Sequence, residues 1–267
     1  MASPDAPLGI FDSGMGGLTV LRQVAARVPS ESIIYLGDTA RVPYGNKSAD
    51  SVVRYARSCA DVLMGRGIKM LVVACNTASA YALDMLRREL PIPVLGVIEP
   101  GAKRAIAATR SGNIGVIGTA GTIKSGQYQA VLREYGPNIQ VFTKPCPLFV
   151  PLAEEGWTDG EVPMAVARTY LAELCEKGID TLVLGCTHYP LLKDVIATAA
   201  GQDVILVDSA EATAESVADV LNAQHAANSG AARGTRSFLV TDAPDSFVRV
   251  GCRFLGEEIN DVEWVDI

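Results

Sequence analysis

Residues 71–80 read LVVACNTASA, a run of branched and small apolar residues that passes abruptly into a thiol, an amide and a hydroxyl at Cys75-Asn76-Thr77. An apolar run of that length, ended by a sharp change in polarity, reads as a buried strand and its carboxyl end. Residues 182–192, LVLGCTHYPLL, repeat the pattern, with Cys186 in the same place and Thr187-His188 behind it. Outward from these two segments, strand-length apolar runs alternate with stretches of helical spacing. LGIFDSG is followed by GGLTVLRQVAARV, SIIYLGDTA by a helix over roughly residues 48–66, MLVVACNTA by AYALDMLRREL, and PVLGVIEPG by AKRAIAATRSG. The alternation restarts at NIGVIGTAGTIKSGQYQAVLREYG. It continues through IQVFTKPCPLFVPL, a helix near residues 161–177, DTLVLGCTHYPLL and DVILVDSAEATAESVADVLNA.

Strand–helix alternation of this kind is the signature of a mainly parallel sheet covered by helices. Two such runs, each opening on a Gly-rich strand end and each later ending a strand in cysteine, predict two pseudo-symmetric α/β domains with an active-site cleft between them. The first domain is expected to comprise residues 1–97 plus about 210–267, and the second residues 98–209, with a linker near Ile98–Gly101 where Pro100 and Gly101 interrupt the pattern. The tail after Asn228 reads as an exposed loop, then a strand and helix that return to the first domain.

Composition narrows the functional classes. With 49% apolar and 20% charged residues the chain is globular, and no apolar stretch approaches the roughly 18–20 residues that span a bilayer. MASPDAPLGIFDSG lacks the basic and apolar regions of a secretory signal, so a cytoplasmic protein is expected. Six cysteines without a C-x-x-C pair, and only two histidines, form neither a disulfide framework nor a zinc site, so no metal is expected. A net charge of −7 argues against nucleic acid and anionic membranes as partners, while leaving room for a small anion held by backbone N–H groups and hydroxyls.

Several loops at strand ends carry chemistry-bearing residues. Gly14-Met15-Gly16-Gly17, with Asp38 downstream, invites a dinucleotide reading, but DSGMGGLT is not G-x-G-x-x-G and holds no P-loop lysine. Ligands of open α/β sheets bind at the carboxyl ends of strands, so the preceding Asp12-Ser13 pair carries more weight than the glycines, although either residue would also serve as a helix cap. In GDTARVPYGNKS, Pro43, Tyr44 and Gly45 form a turn that would expose backbone N–H groups beside an aromatic hydroxyl, although taken alone the stretch reads more simply as an ordinary connection to a helix starting at Ser48. Thr119 and Thr122 of GTAGT supply the equivalent loop in the second half, again with capping as the plain alternative.

The cysteines separate the readings. Cys59, Cys146, Cys175 and Cys252 read as small buried hydrophobes. Cys75 and Cys186 instead end strands where N–H groups and a helix N-terminus would favour a thiolate over the free pKa of about 8.5. A Cys186–His188 hydrolase would leave Cys75-Asn76-Thr77 without a purpose. Two equivalent cysteines in two equivalent halves suit two acid–base groups on opposite faces of one carbon. Inverting a stereocentre by proton transfer needs that arrangement, one group removing the proton and the other returning one.

GIFDSGMGGLTVL, GDTARVPYG, VVACNTASA, GVIEPG, IGVIGTAGTIKSGQY, CPLFVPLAEEG and TLVLGCTHYPLL, in that order and reaching to about Ser209, resemble the glutamate racemase family of the aspartate/glutamate racemase superfamily. The segment from about Asn228 to Phe247 matches no motif of it. The resemblance implies interconversion of L- and D-glutamate without a cofactor, in particular without pyridoxal phosphate, supplying D-glutamate for peptidoglycan. It implies Cys75 acting on D-glutamate with Asp12 assisting, and Cys186 acting on L-glutamate with His188 assisting. Asp12, Ser13, Pro43, Tyr44, Gly45, Asn76, Thr77, Thr119, Thr122, Thr187 and His188 would bind the amino acid, and Glu154, with Glu155 beside it as the competitor, would be an auxiliary acid. The family also implies a homodimer and, for some members, contact with DNA gyrase, on which these residues are silent. With its first strand beginning within ten residues of the start, the chain is expected to need no cell-wall precursor as activator. An aspartate racemase would share the paired cysteines, and a non-catalytic amino-acid-binding protein would share the hydroxyls and amide but have no use for two strand-end thiols.

Overall fold

The computed structural model describes residues 3–230 and 232–267; Met1, Ala2 and Ala231, the last within the expected tail loop, lie outside the described residues. The first half runs β1 (Leu8–Asp12), α1 (Leu18–Arg27), β2 (Ile33–Gly37), α2 (Ala49–Gly65), β3 (Met70–Val73), α3 (Asn76–Glu89), β4 (Val94–Gly96) and α4 (Ile98–Ala108). The second runs β5 (Asn113–Gly118), α5 (Ala120–Ser125), α6 (Gln127–Tyr135), β6 (Gln140–Pro145), α7 (Phe149–Glu155), α8 (Glu161–Glu176), β7 (Thr181–Gly185), α9 (Lys193–Ala200) and β8 (Ile205–Asp208). Then follow α10 (Ser209–Ala223), β9 (Arg236–Val240), α11 (Pro244–Leu255) and β10 (Val262–Trp264).

The strands form a six-stranded sheet ordered β10-β9-β2-β1-β3-β4 and a four-stranded sheet ordered β6-β5-β7-β8, and every pairing is parallel. The block β2-β1-β3-β4 and the block β6-β5-β7-β8 are the same topology written twice. In each, the chain leaves its first strand in one direction and returns on the other side, so a crevice opens between β1 and β3 and again between β5 and β7. β1, β3 and β7 are buried along their whole length, as strands covered on both faces must be. The tail strands β9 and β10 add to the first sheet beside β2, and α10 packs on both α1 and α4. One apolar cluster runs without a break from Ile10 and Val72 of the first sheet to Leu182 and Leu184 of the second, closing the molecule behind the cleft.

Two details differ from the sequence reading. Ile98–Gly101 is no linker but the first turn of α4, where the N–H that Pro100 lacks would have had no partner within the helix anyway. Asn76 and Thr77 are likewise no loop ahead of a helix: α3 begins at Asn76, and Cys75 itself is the N-cap. Among the described residues no helix is long and apolar enough to cross a membrane.

Candidate active site

The carboxyl ends of both sheets meet at one cavity of about 330 Å³ including its mouth, lined by Ser13, Pro43, Tyr44, Gly45, Cys75, Asn76, Thr77, Thr119, Val150, Cys186, Thr187 and His188. Register explains how. Phe11 pairs with Val73, so continuing two residues brings Ser13 level with Cys75, whose Sγ–H donates to Ser13 Oγ at 3.6 Å. In the second sheet Gly118 pairs with Gly185, which brings Thr119 level with Cys186. The two thiols therefore stand at the topological switch points of two equivalent sheets, each with a hydroxyl residue from the adjacent strand beside it.

Cys75 Sγ accepts the N–H of Ala78 at 3.4 Å as the cap of α3. The sequence reading has that helix terminus favour a thiolate, and the structure reverses the sign. Burial pushes the Cys75 thiol up to about 12, and the Asp12 carboxylate adds to the effect, against the smaller pull of the Ala78 N–H and the Ser13 hydroxyl. Loss of hydration outweighs one amide dipole and a partial helix charge. Asp12 sits beneath the cavity, fully buried, its Oδ2 accepting from the Gly14 N–H at 3.0 Å and its Oδ1 from the Thr187 hydroxyl at 3.4 Å. Burial raises its carboxyl above the ordinary value, and His188 and the Gly14 and Gly17 N–H groups offset part of that rise.

The Cys186 side is built differently. His188 Nδ1 lies 3.9 Å from Cys186 Sγ, and its Nε2 lies 3.0 Å from Glu154 Oε1. Burial works against a charged ring, but the hydrogen bonds and charges of Cys186 and Glu154 outweigh it, and the His188 pKa rises to about 10. At neutral pH the ring is an imidazolium. Gly16 makes room for it: a Cβ there would come within 2.4 Å of both His188 Nδ1 and Thr187 Oγ1. Gly45 serves the opposite wall, since a Cβ on it would lie 2.5 Å from the Thr119 Cβ.

Polar groups for a ligand come from both halves. The hydroxyls of Thr77, Thr119 and Thr122 form a triangle with all three Oγ1–Oγ1 separations at 3.0 Å, joining α3 to the start of α5 across the cleft. Asn76 Oδ1 accepts the Tyr128 hydroxyl at 2.7 Å, while its buried Nδ2 has no partner among the described residues. A buried, unpartnered amide donor at a cavity wall is costly unless something else accepts from it.

Most of the residues singled out from sequence thus converge. Asp12, Thr122 and Glu154 stand one layer back, behind Thr187, Thr77 and His188 respectively. Glu154, not Glu155, is the carboxylate that reaches His188. The Tyr44 hydroxyl, expected beside exposed N–H groups, turns away into the core to donate to Asp38, which also accepts from Arg41 and Thr241, so Asp38 is a structural hub and no ribose ligand. Of the four cysteines read as buried, Cys59 and Cys146 are, whereas Cys252 is half-buried and Cys175, near the end of α8, is exposed. Sequence reasoning missed Val150, one helical turn before Glu154, and Tyr128, which lies in a quoted motif but whose partner Asn76 is 52 residues away. Among the described residues no cluster of three or more His, Cys, Asp or Glu has the makings of a metal site.

Residues 18–217 match the family model described as Asp/Glu/Hydantoin racemase. A glutamate racemase from Geobacter metallireducens is 56% identical over 264 residues, covering 99% of this chain and 98% of that protein. Among solved structures, a glutamate racemase isoform from Bacillus anthracis superposes with a TM-score of 0.95 at 39% identity, covering 98% of each chain. The glutamate racemase of Francisella tularensis, solved in complex with D-glutamate, superposes with a TM-score of 0.92 at 38% identity, again covering 98% of each chain.

Proposed function

Because the chain belongs to the glutamate racemase family within the Asp/Glu/hydantoin racemases, we propose that it interconverts L- and D-glutamate by a two-thiol proton relay. In the L-to-D direction Cys186, as a thiolate beside the His188 imidazolium, takes the α-proton. The Cys75 thiol then returns a proton to the opposite face of the same carbon. The enzyme is left with thiol and thiolate exchanged, ready for the reverse reaction. Asp12 and the Glu154–His188 pair hold the protons of the two sulfurs, and Ser13, the threonine hydroxyls and the free Nδ2 of Asn76 bind the amino acid.

The observation that carries this reading is the single cavity with Cys75 and Cys186 in its walls and no other thiol. Its lining contains no lysine for a Schiff base, which supports a reaction run by side chains without pyridoxal phosphate. The α-proton of an amino acid is far less acidic than a thiol, so the carbanion-like transition state relies on fixed donors in a dry site. In the cell, a cytoplasmic supply of D-glutamate to peptidoglycan synthesis is the role such an activity fits.

Incubation with D-glutamate in D₂O without added cofactor tests the proposal. Loss of the Cα proton signal by NMR together with loss of optical rotation is expected. Binding of D-glutamate with neither change would refute it and leave the thiols as pocket lining.

A further inference from the structure

The tail segment that matches no racemase motif leads into a helix whose last turn touches the Cys186 half of the site. α11 belongs with the first sheet, where Phe247 is fully buried with its ring 5.9 Å from that of Tyr35 and 6.3 Å from that of Phe238. Two turns later Phe254, also fully buried, sets its ring centroid 5.1 Å from that of His188 at an interplanar angle of 76°. The neighbouring Arg253 donates through Nη1 to the backbone carbonyl of Glu154 at 3.0 Å. Its guanidinium covers Gly156, the left-handed residue (φ +77°) that ends α7, so closely that a Cβ there would lie 2.6 Å from Nη1.

We propose that Phe254 and Arg253 are positioning residues for the reaction, by which the C-terminal helix of the first domain holds the Glu154–His188 pair in line with Cys186. The inference rests on the proposed racemase reading for its consequence in turnover. Its structural logic is independent of that reading. Glu154 sits in the last turn of a seven-residue helix, and its side chain is 38% exposed, so little within α7 itself fixes it. Arg253 ties down the carbonyl of that same residue. His188 has two nitrogens to satisfy, toward Cys186 and toward Glu154, and a ring free to pivot would meet only one of them at a time. The Phe254 ring and the backbone at Gly16 both close on the imidazole and restrict its rotation. The charged groups bearing on this ring are then Cys186 and Glu154 at its nitrogens, Asp12 across the cavity floor, and the exposed Arg253 beyond Glu154.

The test uses the full chain with Phe254→Leu, Arg253→Ala and Arg253→Lys. The chain has two histidines, so imidazole NMR shows His188 against the exposed His225 as internal reference. Titration should find His188 lowered by about one pH unit in Phe254→Leu and Arg253→Ala, through weakened support from Cys186 and Glu154. Arg253→Lys, which can still donate to the carbonyl, should recover part of the shift. Turnover should fall about 10–100-fold in kcat with little change in KM, as expected when a catalytic group is displaced by less than an ångström. The deuterium isotope effect should rise with [2-²H]-L-glutamate, the enantiomer assigned to Cys186, and not with the D form. His188 titrating as in the wild type in the folded variants would overturn the proposal, whatever happens to the rate. Should Phe254→Leu fail to fold, the surface variant Arg253→Ala decides alone. Because the titration needs no turnover, it fails or holds separately from the D₂O exchange on which the racemase reading stands.

Discussion

Replacing Tyr128 by Phe removes one oxygen atom from the second half of the molecule, and the consequence should appear at a cavity-lining amide held by the first. Tyr128 is 1% and Asn76 3% exposed, and among the described residues the 2.7 Å bond between them is the only one Asn76 Oδ1 makes to a side chain. Deleting the hydroxyl strands a buried carbonyl oxygen at a cost of about 1–3 kcal/mol. For a chain of this size that corresponds to a fall in Tm of roughly 2–12 °C. The amide also loses the contact that fixes which of its ends faces the cavity. If the same free energy is lost from the transition state, kcat/KM falls about 5–150-fold. Racemisation followed by circular dichroism, with a thermal melt on the same samples, reads both quantities. A double-mutant cycle with Asn76→Ala supplies the attribution: once the amide is gone, Tyr128→Phe should cost little more. Full kcat/KM in a folded Tyr128→Phe, or strictly additive losses in the double variant, would refute the view that Tyr128 acts through Asn76.

Three further outcomes follow from the geometry. Cys75→Ala and Cys186→Ala should each stay folded and lose racemisation by about 10²–10⁴-fold or more; near-native turnover by either would end the two-base assignment. Gly16→Ala should cripple turnover, because its methyl would have to displace the His188 ring or the Thr187 hydroxyl by about an ångström from their 2.4 Å approach; wild-type kcat in this variant would show that the ring is not confined there. The pKa of His188 is raised on folding to about 10, so its contribution to stability is complete below the unfolded value of about 6.5 and disappears as pH climbs through about 10. Tm should therefore decline over that window, and less steeply in His188→Asn, which has no such group to lose; parallel profiles would contradict the assignment.

The doubled strand–helix rhythm made the architecture legible, because strands covered on both faces must be continuously apolar and helices on their flanks must be periodic. The same rhythm located the cavity, since parallel strands deliver their carboxyl ends to one side and both cysteines sit at such ends. Local sequence carried no trace of the contacts that hold the site from behind. Tyr128 and Asn76 lie 52 residues apart, Arg253 and Glu154 lie 99 apart, and each pair meets only because the two sheets face each other. The sign of the Cys75 shift was illegible for a related reason. A helix N-terminus can be read from sequence, but complete burial is a property of the closed cleft, and burial is the larger effect.

A symmetric scaffold raises a difficulty that the partner residues resolve. Two identical half-sites would share one proton without preference, so neither sulfur would be set as the acid or the base ahead of substrate. Here the topology is repeated but the environments are not. The Cys75 thiol is raised by burial and by the carboxylate of Asp12, which keeps it a proton donor at neutral pH. Cys186 faces an imidazolium that Glu154 helps to keep charged. The free enzyme thus holds a protonated thiol on the Cys75 side and an imidazolium on the Cys186 side, and in the proposed reaction the Cys186 side is the one that meets L-glutamate. In the proposed reaction, turnover of D-glutamate calls for the opposite assignment, with a proton leaving Cys75 and one arriving at Cys186 between product release and the next D-substrate. Asp12 accepts the Thr187 hydroxyl, while Thr19 donates to the Thr187 carbonyl at 3.2 Å, so the floor of the cavity already links the two halves by hydrogen bonds. Symmetric strands combined with unlike partners are what a reversible reaction on a chiral centre demands: symmetry to reach both faces, and asymmetry to give the proton a direction.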